Sequence, residues 1–138
     1  MKKDDCIFCK IAAGEIPSRK IYEDKDLIAI MDLSPTSKGR SLIIPKEHYT
    51  NIYDIDEEIA GKVMKTAKKL ATKMTVALNC DGFNLLQNNG ETAGQTMFHF
   101  HMHLIPRYKD ADNNMLKFTS VSFSDEEMDA IRDQIIKD

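Results

Sequence analysis

Within the segment Met97-Phe98-His99-Phe100-His101-Met102-His103-Leu104-Ile105, apolar and imidazole side chains alternate from Phe98 to Leu104. Successive side chains of a β-strand point to opposite faces, so a period of two predicts a strand over 97–105. Such a strand presents His99, His101 and His103 on one face and Phe98, Phe100, Met102 and Leu104 on the other. The apolar face needs a core. The histidine face lines one edge of a pocket, because burying three titratable groups together is costly without partners or a ligand.

Reading outward, Asn88-Asn89-Gly90-Glu91-Thr92-Ala93-Gly94 is built from turn residues and joins the histidine strand to a preceding strand over 83–87. Upstream of that, Ala60, Val63, Ala67, Leu70, Met74 and Ala77 recur every three or four residues, the mark of a long amphipathic helix that Asp54 or Asp56 can cap. Its other face is rich in lysine. Two strands over 20–23 and 27–31 flank the charged turn Asp24-Lys25-Asp26, a hairpin pattern, and Ser41 to Ile44 is a strand closed by Pro45. Ile7, Phe8, Ile11 and Ala12 predict a short helix over 6–13, stopped by Gly14 and Pro17. Ser124 and Glu127 form a capping box that opens a last helix to about residue 137. The fold class is α+β, with five strands, a short N-terminal helix, one long helix and a C-terminal helix.

The chain has 138 residues, 42% of them hydrophobic, a size at which one core fills comfortably and two would not, so residues 1–138 are read as a single domain. A net charge of −3 with mixed signs provides no basic field for a nucleic-acid polymer. No apolar run reaches the roughly 20 residues of a membrane helix, and Met1-Lys2-Lys3-Asp4-Asp5 leads into no signal-peptide core, so a cytoplasmic location away from the membrane is expected. Three cysteines, an odd number, argue against a disulfide framework.

Two chemistries suit the histidine face. A neutral imidazole can attack phosphorus and carry a nucleotidyl group without a separate base, while a neighbouring histidine donates to the phosphoryl oxygens. Alternatively, three histidines can hold a catalytic metal with an open position for water. The glycine loop favours the first: Gly90 and Gly94 permit close backbone approach, amides near Gly94, Gln95 and Thr96 can face an anion, and Asn88 and Gln95 add side-chain donors.

The run Gln95 to Ile105 resembles the signature of the histidine triad family. The resemblance extends to Asp32-Leu33-Ser34-Pro35, to Leu42-Ile43-Ile44-Pro45-Lys46-Glu47-His48 and to Cys6-Ile7-Phe8-Cys9-Lys10-Ile11, covering about residues 6 to 107. The order of these blocks is similar to the nucleotide-binding branch that includes nucleoside phosphoramidate hydrolases. It implies a compact antiparallel sheet, a homodimer, and a nucleotide hydrolase or transferase that cleaves phosphoramidates or dinucleoside polyphosphates at the α-phosphorus with no metal in the chemical step. By the same resemblance His101 is the nucleophile and His103 binds phosphate and assists the leaving group. Asn88, Gly94, Gln95 and Thr96 hold the phosphate or leaving group, Asp32 the ribose hydroxyls, and Phe8, Ile11, Ile30 and Leu42 an AMP- or GMP-type base. Those four apolar residues read equally well as ordinary core. A nucleotide-binding regulatory or scaffold protein is the alternative function. Arg40 departs from the family pattern, which often has histidine there.

Cys6 and Cys9 have a C-x-x-C spacing that suits two thiolates on one metal, and also suits helix packing or redox chemistry. Family members with this cysteine pair complete a zinc site with the histidines that correspond to His48 and His99, which implies one structural zinc per chain and a structural role for His99. Cys80 reads as simple burial at the end of the long helix. Residues 108–138, including the charged stretch 109–112, lie outside the resemblance as a C-terminal extension. It could serve the dimer, close over the substrate, or do neither.

Overall fold

The Asp24 carboxylate closes the first hairpin, its Oδ1 accepting the backbone N–H groups of Asp26 and Leu27, each at 2.8 Å, between β1 (Lys20–Glu23) and β2 (Leu27–Met31). In this computed structural model, which describes residues 2–111 and 118–138, β2 continues into β3 (Ser41–Pro45), then β4 (Gly82–Leu86) and β5 (Met102–Arg107). The five strands make one antiparallel sheet in the order β1-β2-β3-β5-β4. Asp112 of the charged stretch lies outside the described residues.

Both faces of the sheet are covered, which is why β2 and β3 read as continuous apolar runs rather than alternating ones. Leu27, Ala29, Ile43, Met102 and Leu104 pack beneath α2 (Glu57–Leu78), against Val63, Ala67, Leu70 and Met74. On the opposite face Ile28, Ile30, Leu42 and Ile44 pack with Phe8 and Ile11 of α1 (Ile7–Ala12). Each of the larger aliphatic and aromatic side chains among these, fully buried, contributes about 1.5–3 kcal/mol. Because Met102 and Leu104 face α2, the pleat turns His103 toward the α1 face, between Leu42 of β3 and Leu86 of β4.

Of the two candidate caps for α2, Asp56 is the one used, accepting from the Ile59 N–H at 3.1 Å, while Asp54 accepts from the N–H groups of Thr50 and Asn51 in the preceding turn. Ala77 is exposed, although Leu78 beside it packs against the core, and Thr66 is buried in its stripe. The Ser124/Glu127 capping box opens α3 (Asp125–Ile136), none of whose residues is buried. No helix among the described residues is long and apolar enough to cross a membrane.

The expected strand over 97–105 is corrected at its start, since β5 begins only at Met102. The β3–β5 register pairs Ile43 with Met102, so two residues further on Phe100 would meet Pro45. Proline has no N–H to donate, and the Pro45 carbonyl accepts from the His99 ring, so the ladder cannot continue. Phe100 instead donates its N–H to the Tyr49 carbonyl at 2.7 Å. The early end of pairing also leaves Phe98 48% exposed, off the apolar face assigned to it.

Candidate functional site

Cys6 caps α1, its Sγ accepting the Cys9 N–H at 3.3 Å, and the Lys3 N–H donates to Cys9 Sγ at 3.3 Å. The segment after β3 delivers His48 and the segment before β5 delivers His99 to the same place. His99 Nδ1 lies 3.3 Å from Cys6 Sγ and 3.4 Å from Cys9 Sγ, and His48 Nδ1 lies 3.4 Å from Cys9 Sγ. All four donor atoms fall within 4.8 Å of one another. Zinc–sulfur and zinc–nitrogen bonds at a tetrahedral centre put sulfur and nitrogen about 3.5 Å apart, so this spacing fits a closed metal site. The tautomer fits as well. His99 Nε2–H donates to the Pro45 carbonyl at 2.8 Å, which leaves the Nδ1 lone pair facing the thiols. Burial holds His99 neutral, its pKa lowered to about 4, and pushes the Cys9 thiol up. Two soft sulfurs and two imidazoles are the donor set of a structural zinc site.

The other two histidines lie outside that cluster. His101 Nδ1–H donates to the His99 carbonyl at 2.7 Å, so the lone pair of the neutral ring is on Nε2. Its ring is 4.8 Å from that of His103 and 5.0 Å from that of Phe8. Burial lowers the pKa of His101; at His103 burial, aided by His101 and Arg40, lowers it to about 4. With His99 turned into the Cys/His cluster and His101 bound to a carbonyl, the three imidazoles do not converge on one ion, which weighs against a three-histidine catalytic metal. Beside His103 stands Arg40, whose Nη2 is 3.2 Å from His103 Nδ1 and whose Nε is 3.6 Å from Asp32 Oδ2.

The glycine loop is organised by its own hydrogen bonds. Gly94 N–H goes to the Glu91 carbonyl and Gln95 N–H to the Gly90 carbonyl, each at 3.0 Å, so two of the amides expected to face an anion are spent inside the turn Glu91–Ala93 and its flank. The buried Gln95 side chain is also fully engaged. Its Oε1 accepts from Gly90 N–H at 2.8 Å and Asn51 Nδ2 at 3.4 Å, and its Nε2 donates to the carbonyls of Thr50 at 2.8 Å and Met97 at 3.0 Å. Gly94 has φ +95°, and a Cβ there would meet Asn88 Nδ2 at 3.5 Å, so Asn88 and Gly94 are neighbours across the loop. Thr96 is exposed.

Phe8, Ile11, Ile30 and Leu42, expected to flank a base, are brought together on the α1 face and are buried there. The geometry adds groups that residue type cannot reveal: the Pro45 and His99 carbonyls and the Lys3 amide act through the backbone, which carries no sequence signal. Arg40 did carry one, as the residue that breaks the family pattern.

The HIT domain family matches residues 13–110. Along the sequence, the chain is 37% identical over 130 residues, covering 94% of this chain and 95% of the relative, to adenosine 5'-monophosphoramidase hnt1 of Schizosaccharomyces pombe. Among solved structures it is similar to SMU.412c of Streptococcus mutans, with a TM-score of 0.93, 40% identity and coverage of 99% of this chain and 86% of that one. It is also similar to a Zn-bound histidine triad family protein of Mycobacterium smegmatis, with a TM-score of 0.75, 32% identity and coverage of 93% and 91%.

Proposed function

The chain belongs to the HIT domain family, and from that premise we propose that it is a nucleotide hydrolase that opens nucleoside phosphoramidates or dinucleoside polyphosphates at the α-phosphorus through a nucleotidyl-His101 intermediate. The observation that carries this reading is the 2.7 Å bond from His101 Nδ1–H to the His99 carbonyl, which leaves Nε2 unprotonated. In the first step Nε2 bonds to phosphorus as the P–N or P–O bond to the leaving group breaks, and the leaving group takes a proton from solvent. The ring then carries a positive charge, which the His99 carbonyl dipole stabilises through Nδ1–H. Water attacks phosphorus in the second step, breaking the Nε2–P bond, releasing a proton to solvent and returning the neutral ring. Similarity to the fission-yeast monophosphoramidase supports the reaction class.

The remaining roles follow the same reading. His103 donates to a phosphoryl oxygen and assists the leaving group, and Asp32 accepts from the ribose hydroxyls. Phe8, Ile11, Ile30 and Leu42 border the base, while Asn88, Gly94 and Thr96 line the phosphate end and Gln95 shapes their loop. Cys6, Cys9, His48 and His99 hold zinc, whose contribution is to pin α1 to the sheet. Two copies form a cytoplasmic homodimer.

The test is metal content together with turnover of adenosine 5'-monophosphoramidate, on the wild-type chain and on His101→Ala. The expected result is that the variant keeps its zinc and loses turnover by on the order of 10⁴-fold or more. Undiminished turnover would falsify the nucleophile assignment, and joint loss of metal and turnover would restore the catalytic-metal reading. Binding of AMP by a wild-type chain that turns nothing over would favour the non-catalytic alternative.

A further inference from the structure

We propose that Arg40 is a positioning residue of this site, its guanidinium holding His103 as the tautomer with the proton on Nε2 and joining it to the Asp32 carboxylate.

Arg40 immediately precedes β3 and Asp32 immediately follows β2, and the Asp32 N–H donates to the Arg40 carbonyl at 3.0 Å. The two residues therefore face each other at the open end of the β2–β3 pair. From there the guanidinium reaches three groups. Nη1 donates to Thr36 Oγ1, Nη2 lies 3.2 Å from His103 Nδ1, and Nε lies 3.6 Å from Asp32 Oδ2. A guanidinium only donates and does not lose its proton. The contact with His103 is therefore Nη2–H donating to a lone pair on Nδ1, since the other tautomer would set two N–H groups against each other. The ring's one proton is then on Nε2.

The adjacent histidine has the opposite arrangement, its proton held on Nδ1 by the His99 carbonyl. Two neighbouring imidazoles thus become one nucleophile and one hydrogen-bond donor, distinguished by the partner behind each ring. Asp32 is held on both sides, Oδ1 accepting the Ser34 N–H at 3.0 Å while Oδ2 faces Arg40. Arg40 Nε is buried and has no hydrogen-bond partner among the described residues, so its orientation comes from the two Nη contacts and the Asp32 charge. A single imidazole at position 40 could not span Thr36, His103 and Asp32 together, because it has two ring nitrogens rather than a three-nitrogen fork.

Only the catalytic consequence rests on the hydrolase reading; the tautomer does not. The test is therefore nitrogen-15 NMR of the imidazole rings in the full, unliganded chain at neutral pH, with His103 assigned from the spectrum of His103→Gln. It is run beside turnover of adenosine 5'-monophosphoramidate by wild type, Arg40→Lys and Arg40→Ala. We expect the wild-type His103 to be protonated on Nε2 alone, Arg40→Ala to give a mixture of tautomers with kcat lower by about 10- to 100-fold, and Arg40→Lys to restore part of both. A wild-type His103 protonated on Nδ1 overturns the proposal without recourse to a variant, and so does an Arg40→Ala chain that keeps the Nε2–H pattern. A wild-type chain that turns over no phosphoramidate defeats the hydrolase reading, while the spectra still decide the role of Arg40.

Discussion

The carbonyl of His99 accepts from Nδ1 of His101 at 2.7 Å, so the residue whose ring closes the Cys/His cluster also sets the tautomer of its neighbour. Side chain and backbone of one residue serve two sites. The ring is fixed through Pro45 on one nitrogen and the thiols on the other, and the carbonyl is fixed in turn, because ring and carbonyl share one short backbone unit. Disturbing the cluster should then reach His101, the proposed nucleophile, without touching it.

Cys9→Ser, at a buried cysteine of the proposed zinc site, should abolish metal binding and lower the thermal midpoint by about 10 °C, the shift expected for roughly 3 kcal/mol in a domain of this size. Turnover should fall with it as the His99 carbonyl drifts. Metal analysis and calorimetry on wild type, Cys9→Ser and His101→Ala check this. The account fails if Cys9→Ser keeps its metal and its midpoint, or if His101→Ala loses both.

Gln95 and Thr96 are adjacent in sequence yet should behave differently. Gln95→Leu removes four hydrogen bonds and leaves the part-buried Gly90 N–H and the Thr50 and Met97 carbonyls without these partners, at a cost of about 2–4 kcal/mol in stability. Thr96→Ala, at an exposed position, should leave stability within about 0.5 kcal/mol and act on KM or kcat alone. Denaturant unfolding of both variants measures the contrast, and equal stabilities would show that Gln95 is not the anchor of its loop.

The pKa of His103 is lowered to about 4 by burial, then by His101 and Arg40, with Asp32 opposing them. Between about pH 6.5, the ordinary value for histidine, and pH 4 the unfolded chain binds a proton at this residue that the folded chain does not. Linkage then makes the folded state lose stability as pH falls through that window. His103→Asn should lose less stability than wild type between pH 7 and pH 4.5. Unfolding free energies at a series of pH values decide it, and parallel curves would mean that His103 titrates normally in the folded chain.

Much of the fold was legible locally. The Asp24 turn, the β1 and β2 boundaries, the α2 stripe and the Ser124/Glu127 capping box each depend on residues close together in sequence, where side-chain period and capping chemistry act directly. The histidine strand was legible only in part. Its alternation carries Phe100, Met102 and Leu104 to the α2 face, but where pairing begins depends on Pro45, more than fifty residues earlier in the chain, and nothing between 97 and 101 announces that its ladder partner lacks an N–H.

The candidate site divides along the same line. The residue types and their spacing, read alone, determined an α+β chain with a histidine cluster, a cysteine pair and a glycine loop, because those features are written in side-chain chemistry and short-range period. Only the tertiary structure decided which nitrogen of His99 faces the thiols, which nitrogen of His101 is protonated, why Gln95 is consumed by its own loop, and that Arg40 stands between His103 and Asp32. Each of those outcomes depends on a hydrogen-bond partner brought close by folding, often a backbone carbonyl or amide, and a backbone group is the same in every sequence until the fold gives it a position.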